Sequence, residues 1–124
     1  MTEISNRFCL LEPADVQDAL LMGHAIAPAL TSHPFSATGP VTFDQTSSES
    51  DSGIVWNQTF RAITSDPEVL RHKDAKLYPA FFMSDGSLRV VGTHDSVPTV
   101  SVAPYNGGRY LVQVSFQAPE ALAL

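Results

Sequence analysis

The chain has 124 residues, enough for one domain that buries about two-thirds of the surface its unfolded form exposes. Thirteen acidic against seven basic residues give a net charge of −6, and no run of Lys or Arg interrupts that field, so direct gripping of DNA or RNA is not expected. Charged residues make up only 16% of the chain, where about a quarter is usual, so much of the exterior is neutral. Two readings fit: a weakly charged monomer, or a surface partly covered by identical or different subunits. The second is favoured.

Arg7 to Leu11 is a short apolar run that reads as an edge strand. Pro13 suits a first helical turn, and Val16, Ala19 and Leu20 keep a 3.6-residue spacing, which predicts a short helix over Ala14–Met22 with Gly23 as its stop. The apolar stretch Ala19–Leu30 contains Gly23, His24 and Pro28 and is too short to cross a bilayer. Met1-Thr2-Glu3 does not open a secretory signal, and Cys9 is the sole cysteine, so the expectation is a soluble protein of a reducing compartment with no membrane contact. His33 to Pro40 is rich in Pro, Ser, Thr and Gly and reads as an irregular connection. Residues 1–40 are thus expected to form an irregular, short-helix segment, packed on its own domain or reaching across to a neighbouring subunit.

An antiparallel β core is expected over residues 41–119. Val41–Thr46 alternates as a half-buried strand does, Ser47–Gly53 is wholly polar and reads as a flexible loop, and Ile54–Thr64 resumes the alternation with Trp56 and Phe60 toward the core. Ser65-Asp66-Pro67-Glu68 is a helix start: Asp66 caps free amides, Pro67 fits the first position and Glu68 complements the dipole. Val69 and Leu70 supply its buried side. Leu77–Met83 and Leu88–Thr93 flank Asp85-Gly86, the strongest short-range hairpin signal, because a type I′ turn needs positive φ at both central residues. Thr99–Tyr105 and Arg109–Ala118 flank a second such turn at Asn106-Gly107-Gly108.

The fold class is therefore mainly β with a minor α component. It is a single domain, residues 1–124, built as an antiparallel sandwich or partly open barrel of about six strands with one or two short helices. The expected core is Phe43, Trp56, Phe60, Leu70, Phe82, Val91, Val112, Val114 and Phe116, with Tyr110 at its margin. Truncating Trp56 to Ala is expected to cost about 3–5 kcal/mol through lost burial and a cavity.

No residue constellation announces a reaction. His24, His33, His72 and His94 lack metal-ligand spacing; His94-Asp95 with His72 or Asp74 is the least poor candidate. Cys9 lies among Phe8, Leu10 and Leu11 and reads as a small buried apolar residue, not a nucleophile. None of the serines sits in a Gly-x-Ser-x-Gly elbow. Asp44, Glu49 and Asp51 form a loose acidic cluster without calcium-loop spacing, and Gly107-Gly108 lacks the helix that a phosphate loop needs. Tyr78, Phe81, Phe82, Tyr105, Tyr110 and Phe116 could line a carbohydrate groove, with core packing as the default. No catalytic residue, no metal ligand and no cofactor-binding residue is assigned, and no cofactor is expected.

From Gly53-Ile54-Val55-Trp56 onward a family resemblance accumulates. A polar loop ending in Gly leads to a strand, a short helix, Asp85-Gly86, Leu88-Arg89-Val90-Val91-Gly92-Thr93 and Pro98. A Gly-bearing turn then leads into Val112-Gln113-Val114-Ser115-Phe116 with Pro119. Over about Val41–Pro119 this order resembles small bacteriophage or prophage virion proteins, especially tail or head–tail components of phages infecting gut Bacteroidetes. The resemblance implies a non-enzymatic structural subunit of the virion, assembled in the host cytoplasm. Its partners would be other virion structural proteins and further copies of itself, without nucleic-acid binding. The alternatives are a small β-rich binding module for a carbohydrate or peptide, and a small enzyme with its site in a barrel mouth.

Overall fold

The computed structural model describes residues 4–13, 35–39, 41–51, 53–85, 88–92 and 96–118; the helix expected over Ala14–Met22 lies outside them. The described chain is two four-stranded antiparallel sheets, so the sandwich form of the expected β fold is the one adopted, with eight strands in place of about six. Strands β1 (Ile4–Leu11), β2 (Phe35–Ser36), β5 (Tyr78–Met83) and β6 (Leu88–Val90) form the first sheet, in the order β2-β1-β5-β6. Strands β3 (Thr42–Ser50), β4 (Gly53–Thr64), β7 (Ser101–Tyr105) and β8 (Arg109–Ala118) form the second, in the order β3-β4-β8-β7.

The first sheet corrects the expectation for the N-terminal segment. Far from being an edge, β1 sits between β2 and β5, pairing Phe8 with Phe81, Cys9 with Ala80 and Leu11 with Tyr78. The β body thus begins at Ile4, with residues 4–11 and 35–36 inside it. The physical reason is visible in the two runs Phe8-Cys9-Leu10-Leu11 and Tyr78–Met83. Successive apolar residues on a strand point to opposite faces, so such a run needs cover on both sides. Phe8, Leu10, Phe81 and Met83 face the main core. Cys9, Leu11, Tyr78, Ala80, Leu88 and Val90 form a second apolar cluster, on the other face of the sheet.

In the second sheet, β3 continues to Ser50 and β4 starts at Gly53, so Ser47–Ser50 of the loop expected over Ser47–Gly53 are strand. Nine consecutive pairs run from Thr42 opposite Arg61 to Ser50 opposite Gly53, leaving only Asp51 and Ser52 between the strands. A polar tract with no apolar face gives no period-2 signal, yet its backbone amides and carbonyls can still be satisfied by a long partner strand. Gly53, at φ +114°, takes the chain out of the turn. The second expected turn is present: Gly107 and Gly108 have φ of +75° and +72° between Tyr105 and Arg109, which pair.

The core lies between the sheets. Phe60 is fully buried, with Phe8 and Phe81 rings 5.8 and 6.3 Å away, and Phe81 also meets Phe43 at 5.3 Å. Val91, Val112 and Val114 are buried there as well, while Phe116 and Tyr110 pack against its margin.

Three expected core residues lie elsewhere. Leu70 is exposed because the segment after Asp66 winds as a 3₁₀ helix, Pro67–His72, whose three-residue turn puts Val69 and His72 on one side and Leu70 on another. Asp66 caps it as expected, its side chain accepting from the Glu68 amide at 3.0 Å. Phe82 faces the outer side of the first sheet, half-buried under the Arg7 guanidinium 5.0 Å from its ring. Trp56 points to the inner side, like Phe60, but is only half-buried and belongs to neither apolar cluster.

Candidate functional site

Among the described residues, the most exposed large hydrophobic side chain is Ile54, two places before the half-buried Trp56. The last described pair between β4 and β8 is Trp56 with Ala118; beyond it, among the described residues, Ser48–Ser50 and Gly53–Val55 pair with each other. This hairpin overhang carries Ile54, 57% exposed, beside the half-buried Val55 and Trp56. Both Ile54 and Trp56 belong to the inward-facing set of β4, and the register puts Ile54 opposite Glu49 and Trp56 opposite Ser47.

The outward side of the same sheet is of another character. Alternation from the paired positions places Thr46 and Ser48 of β3, Asn57 and Thr59 of β4, and Ser115 and Gln117 of β8 on it. Gln117 Nε2 donates to Asn57 Oδ1 at 2.9 Å and Asn57 Nδ2 donates to Ser48 Oγ at 3.1 Å, a ladder across three strands. These uncharged hydrogen-bonding side chains, beside Asp44 and Arg61 on the same face, account for part of the low charge fraction. Asp44 and Glu49 stand on opposite faces of β3 and do not form a common cradle.

A second concavity lies beside the 3₁₀ helix. An open cleft of about 640 Å³ is lined by Glu12, Glu68, Arg71, His72, Ala75, Lys76 and Leu77. It mixes both signs of charge, and its one ion pair, Arg71 to Glu68 at 3.0 Å, is largely solvated and contributes little to stability. His72 is half-buried and turns its ring edge to Phe35, at 6.1 Å between centroids. Such a cleft can hold solvent or a small polar ion loosely; among the described residues no buried polar group converges on it to orient a substrate.

The remaining candidates separate in space. His24, His33, His94 and Asp95 lie outside the described residues; among the described residues no three His, Cys, Asp or Glu side chains gather as a metal site would require. The six aromatics do not form one groove: Phe81, Tyr110 and Phe116 belong to the main core, while Tyr78 and Phe82 are on the other face of the first sheet. Tyr105 is exposed at the last turn, with the Arg109 guanidinium 5.2 Å from its ring. Among the described residues no helix is long and apolar enough to cross a membrane. Sequence reasoning does not single out the overhanging hairpin as apolar surface. The available signal is that Ile54 and Trp56 follow a tract with no apolar residue to pair with them.

Cys9 is the one cysteine thiol of the chain, and its surroundings disarm it. It is 2% exposed, and burial pushes its thiol up to about 11, partly opposed by the Arg7 charge. The folded protein is therefore expected to resist alkylation at neutral pH and to react only as fast as it unfolds, which mass spectrometry across a denaturant series checks. Because the folded-state value lies above the ordinary thiol value of 9.0, the fold holds its proton more tightly than the unfolded chain. This contribution to stability is complete below pH 9.0 and is lost as the pH rises toward about 11.

Comparison of the chain with protein-family models, with curated proteins and with solved structures finds no match.

Proposed function

We propose that this chain is a non-enzymatic structural subunit acting through protein–protein contacts, and that its assembly is a phage particle of the tail or neck type. One observation carries the assembly part of this reading: the β3–β4 hairpin overhang, with Ile54 exposed beside half-buried Val55 and Trp56. Exposed apolar side chains on a paired strand just behind a polar turn suit contact with a neighbour. The open, mixed-charge character of the described cleft favours contact over turnover. The virion setting, with assembly in the host cytoplasm, rests on the ordered resemblance over Val41–Pro119.

Quantitative mass spectrometry of purified particles from the producing host tests both parts. The expected result is this chain at a fixed ratio to the major tail or neck proteins, retained through density-gradient purification. A chain missing from particles that binds a defined glycan or peptide with saturation would favour a binding module instead.

A further inference from the structure

Among the described residues, the second sheet ends at β3, which pairs on one side only, with β4. Edge strands expose backbone donors and acceptors, and proteins usually blunt them by shortness, proline, lysine or a bulge. Among the described strands β2 has two residues, β6 three, and β7 five with Pro104 among them. By contrast β3 has nine residues, no proline and no basic residue, its charges being the two carboxylates Asp44 and Glu49, and its pairing with β4 proceeds without a register shift. We infer that β3 is a self-pairing edge: two copies of the chain join antiparallel along it, about a dyad at Thr46, and make one eight-stranded sheet. This rests on the assembly reading above and names its partner as a second copy.

The register follows from parity. In an antiparallel pair, opposed residues must either both present their backbone groups to the neighbouring strand or both turn them away, so a dyad passes through a residue and not between two. A dyad at Thr46 opposes Thr42 to Ser50, Phe43 to Glu49, Asp44 to Ser48 and Gln45 to Ser47, which engages all nine residues of the strand. Any other centre leaves part of the strand beyond the pairing. Asp44 and Glu49 stand on opposite faces, so they never oppose each other; like charges meet only with the dyad on one of those two residues. The Thr46 centre opposes a threonine to a threonine, a favourable cross-strand pair.

The same register sets what lies beside the overhang. Glu49 neighbours Ile54 within the hairpin. Across the dyad Glu49 stands opposite Phe43, a buried residue of the main core. Along the inner face the row then runs Ile54, Glu49 and the Phe43 of the second copy, and the next row runs Trp56, Ser47 and its Gln45, so Glu49 and Ser47 stand between the overhang and the second copy.

Light scattering of the full chain across a concentration series is expected to show a species of twice 13.4 kDa. Thr46→Lys, which places like charges on the dyad at an exposed position, is expected to weaken the dimer at least about tenfold while the circular dichroism stays that of the wild type. Oxidation of Thr46→Cys is expected to give a covalent dimer, since directly opposed residues have Cα atoms about 4.5–5.5 Å apart, within the range a disulfide spans. Thr42→Cys, at the far end of the strand, is expected to give none. The native Cys9, buried, does not contribute to the crosslinking. A wild type that stays monomeric throughout the series, or equal crosslinking at both positions, overturns the proposal. If that monomer still appears in particles at a fixed ratio, the assembly reading survives without β3 pairing. A β3-paired dimer missing from particles supports the pairing and removes the virion setting.

Discussion

Phe60→Ala is expected to destabilise the fold by about 3–5 kcal/mol, the usual range for emptying a fully buried aromatic site. Phe60 has no exposed surface, and the Phe8 and Phe81 rings lie 5.8 and 6.3 Å from its own. Those neighbours come from β1 and β5, the two inner strands of the opposite sheet, so the vacated space lies at the centre of the sandwich. Neither sheet can move in to fill it without disturbing its hydrogen-bonded ladder, and most of the cavity term remains. Urea unfolding followed by tryptophan fluorescence gives the measurement. The contrast is Trp56→Ala, followed by circular dichroism, where partial burial outside the core lowers the expected cost from the full aromatic range to about 1–2 kcal/mol in the monomer. Equal losses at the two positions would contradict the core as described.

The second large effect is expected at Gly92. Its φ of +127° is a conformation that residues with a side chain rarely adopt, and a Cβ there would stand 2.5 and 2.7 Å from the ring carbons Cδ1 and Cε1 of Tyr78. Tyr78 is fully buried and cannot swing aside, and Pro98 closes the other direction with its Cδ at 3.0 Å. Backbone strain and overpacking therefore add, for an expected loss of about 2–5 kcal/mol in Gly92→Ala. Gly108 separates the two contributions. It also has positive φ, +72°, but a Cβ there meets nothing within 4 Å, so Gly108→Ala carries the backbone term alone, about 1–2 kcal/mol. A thermal melt of the two variants side by side, with Gly92→Ala no worse than Gly108→Ala, would refute the close approach to Tyr78.

The second half of the chain is legible in the sequence because its turns are made of residues with few other uses. Asn106-Gly107-Gly108 marks a hairpin, and β8 has the bounds Arg109–Ala118 that alternation and turn chemistry predict. Where expectation and structure part, one physical cause recurs: the period-2 pattern reports contrast between two faces. In β1 both faces are apolar, and a central strand reads as an edge. Along Ser47–Ser50 both faces are polar, and a paired strand reads as a loop. Leu70 differs because a 3₁₀ turn and an α turn bury different neighbours of Val69. The candidate surface is harder to read than the fold, since Ile54 and Trp56 follow the alternation of a core strand and only the pairing partners reveal that the strand runs past the described end of β8.

The sheet orders have a consequence for how the chain becomes a folded body. Replacing each of β1 to β4 by the strand four places later turns β2-β1 into β6-β5 and β3-β4 into β7-β8, so the molecule is two four-stranded halves meeting at two seams, β1 with β5 and β4 with β8. Both seams join strands distant in the sequence, and the Phe60–Phe81 contact crosses between the halves as well. Neither half can close a two-sided core alone, because each would present an inner strand of both sheets as a raw edge. Folding is therefore a single cooperative event with high contact order, slow relative to helical domains of this size. The 3₁₀ segment Pro67–His72 is the natural place to divide the chain into two pieces, each of which needs the other to acquire structure.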